Sequence, residues 1–145
     1  MLEYKTGNLF TSRADAYAHG CNTNGKMNAG IAKQFKERFP EMFEDYQQKC
    51  RKGLFLLGEG YIFYNKNTPH VINLATQGDN GAGIIYIESA LEWLSDNYQN
   101  FNIECIAMPK ICSGLGGLDW KITREIIDRY FGDSDLLVEV WSLKN

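Results

Sequence analysis

The chain has 145 residues, of which 44% are apolar and 13% aromatic, and its formal net charge is −3. This length and composition fit one folded domain with its own core and exclude a disordered chain. The negative charge excludes a general electrostatic attraction to nucleic acid. Four cysteines without a C-x-x-C pair, and only two histidines, do not form a zinc-binding pattern. Because no signal peptide or long apolar run is present, we expect a cytoplasmic protein with reduced thiols and no membrane partner.

Hydrophobic periodicity divides the chain into short strands and amphipathic helices. Short apolar or alternating runs predict strands at residues 2–5, 17–19, 61–64, 71–75, 105–108 and 136–141. Apolar residues spaced by three and four predict helices at residues 30–39, 42–50, 84–98 and 121–131. Asp119 is a candidate N-cap for the last helix. Strands that alternate with helices indicate one α/β layered domain over residues 1–145, with a mixed, largely parallel central sheet.

The polar loops that follow the strands are the candidate binding segments. In α/β sheets, ligands bind beyond the carboxyl ends of the parallel strands. Here those loops are residues 6–10, 20–30, 76–83 and 110–120, and three of them are rich in Gly and Asn. Loops that meet at one sheet edge form a single long cleft, which suits a ligand with several polar parts.

The loop after the strand at residues 105–108 contains Gly114, Gly116 and Gly117 and leads into a helix. Glycine leaves backbone amides open to an anion, and the next helix adds its own unpaired N–H groups. The spacing excludes a dinucleotide fingerprint and a Walker loop. It also excludes a cysteine phosphatase loop, because the sixth residue after Cys112 is leucine and not arginine. A phosphate-binding loop and an ordinary tight turn are the two interpretations.

Three side chains are candidates for catalysis. His19, at a strand end beside a Gly and Asn cluster, could act as an acid or base near neutral pH, or could be a buried histidine that holds the loop. Asn22 could hold a hydroxyl group of a ligand or a water, or could simply shape its loop. Asp79 could activate water, with a solvated turn aspartate as the alternative. For Cys112, the alternative to a nucleophile is a small, half-buried packing residue.

Four features occur in an order that resembles the macro domain, an ADP-ribose-binding family. They read TGNLF at residues 6–10, HGCNTNG with NAGIA at residues 19–25 and 28–32, NLAT at residues 73–76, and MP with GLGGLDW at residues 108–109 and 114–120. The resemblance covers nearly the whole chain and implies a three-layer α/β/α fold. The ending GLGGLDW is most similar to the branch that contains terminal ADP-ribose glycohydrolases, DNA ADP-ribosyl glycohydrolase antitoxins and yeast-type ADP-ribose-1″-phosphate phosphatases.

The resemblance implies how ADP-ribose would be held. Asn8 stands at the adenine-binding position, where the family usually has an aspartate, so its uncharged amide predicts a weaker bond. Residues 22–30 resemble the loop around the first phosphate and the distal ribose, and the glycine loop resembles the one that wraps the diphosphate. The ligand-binding residues implied in this way are Asn8, Leu9, Asn22, Asn28, Gly30, Ile31, Thr76, Ser113, Gly114, Leu115, Gly116 and Gly117.

Two departures from the family pattern bear on catalysis. Gln77 stands where glycohydrolase members carry a lysine, and Gly116 stands where the terminal-glycohydrolase type has an aspartate. Because glutamine is neither a nucleophile nor a general base, we do not expect the lysine mechanism. The phosphatase-like members, which have no such lysine, fit this sequence better.

The sequence therefore predicts a macro domain that binds ADP-ribose or ADP-ribose-1″-phosphate and hydrolyses at the distal ribose, with His19, Asn22 and Asp79 as catalytic candidates. The alternative is a reader module that binds ADP-ribose without turnover. An ADP-ribosylated macromolecule is a further candidate partner, but the net negative charge and the missing lysine weigh against DNA as the acceptor. We expect a monomer that needs no metal and no cofactor.

Overall fold

The computed structural model of the protein describes residues 1–113 and 117–143. Seven strands lie in this part of the chain: β1 (Leu2–Thr6), β2 (Ala16–Asn22), β3 (Gly60–Phe63), β4 (His70–Gly78), β5 (Gly81–Ala82), β6 (Cys105–Pro109) and β7 (Leu137–Ser142). The α-helices are α1 (Gly30–Arg38), α2 (Pro40–Arg51), α3 (Ile84–Asn97) and α4 (Trp120–Phe131). Short 3-10 turns cover Leu9–Thr11 and Tyr98–Phe101. All strands and helices that the periodicity predicts are present, with shifted ends.

The sheet is mixed and largely parallel, as predicted. Its strand order is β1-β7-β6-β2-β4-β3, and β5 also pairs with β4. Along the order β1-β7-β6-β2-β4, each strand runs parallel to its neighbours. β3 and β5 are antiparallel to β4. The carboxyl ends of β1, β7, β6, β2 and β4 therefore meet at one edge of the sheet, and the candidate loops leave the sheet there.

Helices cover both faces of the sheet, because both faces of its central strands are apolar. In β2, Ala16 and Ala18 pack into a core with α3 and α4, whereas Tyr17 and Cys21 pack into a second core with α1 and α2. Successive side chains of a strand point to opposite faces, so one strand contributes to both cores. The result is a three-layer α/β/α domain, which confirms the predicted fold class.

The prediction of a loop at residues 76–83 is partly wrong. β4 continues through Thr76 and Gln77, and β5 then turns back to pair with it, so that Gln77 lies opposite Ala82. Sequence periodicity misses this extension because the segment is rich in Gly and Asn, which are typical of loops. As a consequence, the backbone of Gln77 is held in the sheet.

Two of the helices that begin at the carboxyl edge of the sheet, α1 and α4, differ at their first turn. Asp119 caps α4 as predicted, because its carboxylate accepts a hydrogen bond from the Lys121 N–H at 3.0 Å. α1 is preceded by Ala29, which has no side chain to serve as a cap. Across the described residues, no helix has both the length and the apolar character that a membrane span requires.

Candidate functional site

A cavity of about 670 Å³ lies over the carboxyl ends of the parallel strands. Its wall comes from five strand ends and from the start of α1. The lining consists of residues 6–10, 29–32, 109–113 and 141–143, together with Gly20, Gln34 and Gln77. This volume is typical of a small-molecule site.

The end of the cavity over β1 and β7 holds Asn8 and Leu9. The Asn8 side chain accepts a hydrogen bond from the Phe10 N–H at 3.0 Å and so caps the 3-10 turn that follows. Leu9 is buried, and Phe10 and Trp141 add aromatic surface to the wall. This end is largely apolar with an amide at its rim, which suits a flat heterocyclic ring.

α1 begins at the cavity with backbone N–H groups that no side chain caps. Its N-cap residue is Ala29, and Gly30 adopts a φ of +60° at the first helical position. Ile31 follows and also lines the cavity. Unpaired N–H groups at a helix N-terminus attract anions, because the helix dipole adds partial positive charge there.

Asn22 and Asn28 lie outside the cavity lining. The Asn22 amide donates to the Lys26 carbonyl at 2.8 Å, and its oxygen accepts from the hydroxyl of Tyr46. The same oxygen accepts from the Asn24 N–H at 3.2 Å. These bonds close the loop between β2 and α1, so the geometry favours the loop-shaping alternative for Asn22. Asn28 is exposed to solvent.

The loop after β6 contributes four residues to the lining: Lys110, Ile111, Cys112 and Ser113. The Ser113 N–H donates to the Lys110 carbonyl at 3.2 Å, and Cys112 adopts a φ of +62°, so the backbone turns sharply where the strand ends. Gly117 is exposed and lies outside the lining. Three predicted binding residues are outside the described residues: Gly114, Leu115 and Gly116.

Gly20, Gln77 and Cys112 line the end of the cavity over β2 and β4. Thr76 is fully buried beside them, and its Oγ1 accepts a hydrogen bond from the Cys112 thiol at 3.2 Å. A Cβ atom on Gly20 would lie 2.6 Å from that oxygen, so only glycine allows this close approach. Burial raises the pKa of the Cys112 thiol by more than the Thr76 contact lowers it, which keeps the thiol protonated.

His19 lies in the core between β2 and α1 and does not reach the cavity. Its ring stacks on Phe35 with 3.8 Å between the ring centroids, and its Nε2 lies 2.7 Å from Asn73 Oδ1. Burial lowers the pKa of His19 to about 4, so the ring is neutral at pH 7. This geometry does not place His19 for acid–base catalysis, because no face of the ring is open to a substrate. It favours the buried-histidine alternative.

Asp79 is exposed in the turn between β4 and β5, outside the cavity lining. This position favours the solvated turn aspartate. The three catalytic candidates, His19, Asn22 and Asp79, therefore lie around the cavity and not on its wall. The side chains that do line the nearest end are those of Gln77 and Cys112.

The family model for the macro domain matches residues 18–127. The chain belongs to the macro domain family. One curated relative is the DNA ADP-ribosyl glycohydrolase of Mycobacterium tuberculosis, which is 33% identical over 126 residues that cover 83% of this macro domain but 36% of that protein. Another is the ADP-ribose 1″-phosphate phosphatase of Lodderomyces elongisporus, which is 30% identical over 146 residues that cover 88% of this chain and 91% of the relative.

Solved structures show the same fold. The macrodomain of Mycobacterium tuberculosis DarG matches with a TM-score of 0.91 and 30% identity over 97% of both chains. The structure of Thermosipho africanus DarTG in complex with ADP-ribose matches with a TM-score of 0.88 and 27% identity, over 97% of this macro domain and 42% of that chain. The macro domain thus spans less than half of the DarTG chain and nearly all of the yeast phosphatase.

Several side chains that line the cavity of this macro domain were not singled out from the sequence, among them Gln34, Trp141 and, within a predicted binding loop, Lys110. Gln34 lies four residues after Gly30 in α1, so helical spacing from that glycine was the signal that could have found it. Lys110 stands directly after the last residue of β6, at the start of the glycine loop. Trp141 packs against the core with α1 and α2 and also faces the cavity, and the pattern of β7 does not separate these two roles.

Proposed function

We propose that this macro domain binds ADP-ribose derivatives and hydrolyses a bond at the distal ribose. The observation that carries the proposal is the order of surfaces along the cavity, from the apolar end at Asn8 to the polar end at Gln77. Between them lie the start of α1, whose backbone N–H groups no side chain caps, and the turn after β6. An adenine, a diphosphate and a second ribose need these surfaces in this order.

In this arrangement the adenine lies against Phe10 and Trp141, and the distal ribose lies over Gly20 and Gln77. The missing Cβ of Gly20 leaves room for Thr76 Oγ1, which packs beside Cys112 at this end of the cavity. The relatives support the same ligand class, because one is an ADP-ribose 1″-phosphate phosphatase and a solved neighbour contains ADP-ribose.

Hydrolysis in this site depends on placement of the substrate and a water. Water adds to ADP-ribose-1″-phosphate, and ADP-ribose and inorganic phosphate leave. Cys112 is protonated and Gln77 is uncharged, so neither is an activated nucleophile. We assign the Gln77 amide to orient the water and a phosphate oxygen of the substrate to accept its proton. His19 and Asn22 act on the loops that shape the site.

A reader module that binds ADP-ribose without turnover is the second candidate function. Gln77 favours it, because this side chain lines the end of the cavity where the distal ribose lies and brings no positive charge or base. The two functions share the binding mode and differ in whether the bound ligand is consumed.

Calorimetric titration with ADP-ribose tests the binding step. Gln34→Glu replaces an exposed amide on the cavity wall with a carboxylate of nearly the same shape, and Gln48→Glu makes the same change on the exposed face of α2. We expect micromolar binding by the parent, several-fold weaker binding for Gln34→Glu and no change for Gln48→Glu. Absence of binding by the parent would refute the proposed ligand.

Turnover is measured in three parallel assays on the same preparation. They follow phosphate release from ADP-ribose-1″-phosphate, ADP-ribose release from modified single-stranded DNA and ADP-ribose release from modified protein. Turnover in any of them supports the hydrolase and identifies its substrate class. Tight binding with no turnover in all three supports the reader.

A further inference from the structure

Lys110 brings positive charge to a cavity whose other lining residues, among those that the structure describes, are uncharged. The lining residues within ranges 1–113 and 117–143 include amides, hydroxyls and apolar groups, and Lys110 is the charged side chain among them. A ligand with two phosphates carries negative charge into this space. A cation on the wall therefore has a large effect on which ligands the cavity prefers.

The ammonium of Lys110 is not committed to a carboxylate in the described structure. Its Nζ lies 5.5 Å from the centroid of the Trp120 ring, whereas Lys5 and Lys49 form ion pairs with Glu139 and Asp45. A cation–π contact at an exposed site is weak, so the ammonium can leave the ring when a phosphate arrives. The lysine side chain is also long and carries three donors.

The backbone of Lys110 is fixed at the centre of the sheet edge. Pro109, the preceding residue, lies opposite Trp141 in β7, and the Lys110 carbonyl accepts the Ser113 N–H at 3.2 Å. β6 stands between β7 and β2 in the sheet. The side chain thus starts midway between the end at Asn8 and the end at Gln77.

We propose that Lys110 is a specificity-determining residue whose ammonium leaves the Trp120 ring and binds the phosphate groups in the middle of the ligand. The proposal rests on the proposed function, since it assumes that ADP-ribose occupies the cavity. On this proposal, the Lys110 side chain makes the cavity bind a ligand with a diphosphate more tightly than a nucleoside without phosphates. The backbone N–H groups of the neighbouring loops then supply geometry, and Lys110 supplies charge.

Titration of the parent, Lys110→Met, Lys110→Arg and Lys121→Met with ADP-ribose and with adenosine tests this role. Lys121→Met removes the same charge from the exposed surface of α4, outside the cavity lining, and is the matched control. We expect Lys110→Met to weaken ADP-ribose binding about 10-fold, the effect of one hydrogen bond to a charged group. Adenosine binding should not change. Lys110→Arg and Lys121→Met should bind ADP-ribose like the parent.

Salt dependence gives a readout that a purely structural role would not move. Affinity for ADP-ribose should fall with rising NaCl concentration in the parent and in Lys121→Met, and should fall less steeply in Lys110→Met. Equal ADP-ribose affinity and equal salt dependence in the parent and in Lys110→Met would overturn the role of Lys110 and leave the proposed function intact. Failure of the parent to bind ADP-ribose would overturn both.

Discussion

Asn73 holds His19 through a hydrogen bond of 2.7 Å between two side chains that have no exposed surface. The amide nitrogen of Asn73 donates onward to the hydroxyl of Tyr61 at 3.0 Å, so one side chain connects β2, β4 and β3. Because the Asn73 oxygen accepts, the histidine carries its proton on Nε2. Its Nδ1 has no partner in the described structure, so a second proton there would be buried without compensation.

We predict that His19 makes the protein less stable in mild acid. Burial lowers the pKa of His19 in the folded protein to about 4, below its ordinary 6.5, so the unfolded chain takes up a proton first as pH falls. Stability is unaffected above pH 6.5 and decreases between pH 6.5 and 4. The loss at pH 5 should be about 2 kcal/mol.

Urea denaturation at a series of pH values measures this loss. His70→Gln removes the other histidine and should keep the dependence, whereas His19→Gln should reduce it. As a second measurement, the His19 ring resonance of the folded protein should stay in its neutral form down to about pH 4. A ring that titrates near 6.5 would contradict the prediction.

Gly20→Ala is predicted to destabilise the fold by about 1–3 kcal/mol, the cost of overpacking. The new methyl group would lie 2.6 Å from Thr76 Oγ1, in a buried position that cannot move aside freely. Thr76→Ala removes that oxygen, so the double variant should be more stable than the sum of the two single changes. Additive losses in chemical denaturation would show that the clash is not the cause.

Asn22→Ala should lower stability by about 0.5–1.5 kcal/mol, because the bonds of the Asn22 side chain to the Lys26 carbonyl and the Tyr46 hydroxyl are lost, while the Tyr46 hydroxyl keeps the carbonyls of Asn22 and Lys26 as acceptors. Tyr46→Phe removes the same contact from the other side, and the double variant should cost less than the sum. Denaturation of the four proteins measures the coupling. A loss of turnover by Asn22→Ala with unchanged stability would instead support a direct catalytic role.

Gln77→Lys is predicted to raise the release of ADP-ribose from a modified acceptor. The substitution places an amine at the end of the cavity that receives the distal ribose in our proposal, as in the glycohydrolases that the sequence resembles. We expect a gain of about 100-fold, the lower end of what a positioned acid–base group contributes. Gln77→Met, of similar length and without charge, is the control. Equal rates for the two variants would argue against this placement of the ribose.

The layered fold could be predicted from the sequence, because the periodic apolar residues mark the buried face of each helix and strand. The pattern at residues 84–98 predicts α3, and Asp119 marks the start of α4. The extension of β4 to Gly78 was not accessible, because its pairing with β5 depends on a hairpin whose composition resembles a loop. In such a segment, the pairing of the two strands in the folded protein overrides the local preference of the residues for a loop.

The candidate site was predicted at the level of its loops and less well at the level of side chains. Asn8, Gly30 and Ser113 line the cavity, as the motif order implies. The sequence places His19 at a strand end, which is wrong: β2 continues to Asn22, so His19 lies within the strand. The face of the sheet that it occupies depends on which residues of β2 point toward α1. Strand periodicity separates two faces and does not say which of them, or which end, meets a ligand.

β1 pairs with β7, with Leu2 opposite Val138, so the two walls at the Asn8 end of the cavity come from segments separated by most of the chain. Closing a loop of this length costs conformational entropy, and β1 and β7 must pair before that end of the cavity exists. Ligand binding at this end therefore requires that the whole sheet is assembled. A bound ligand at 100 times its Kd should add about 2.7 kcal/mol to the global free energy of unfolding, and amide exchange in β1 and β7 should slow together.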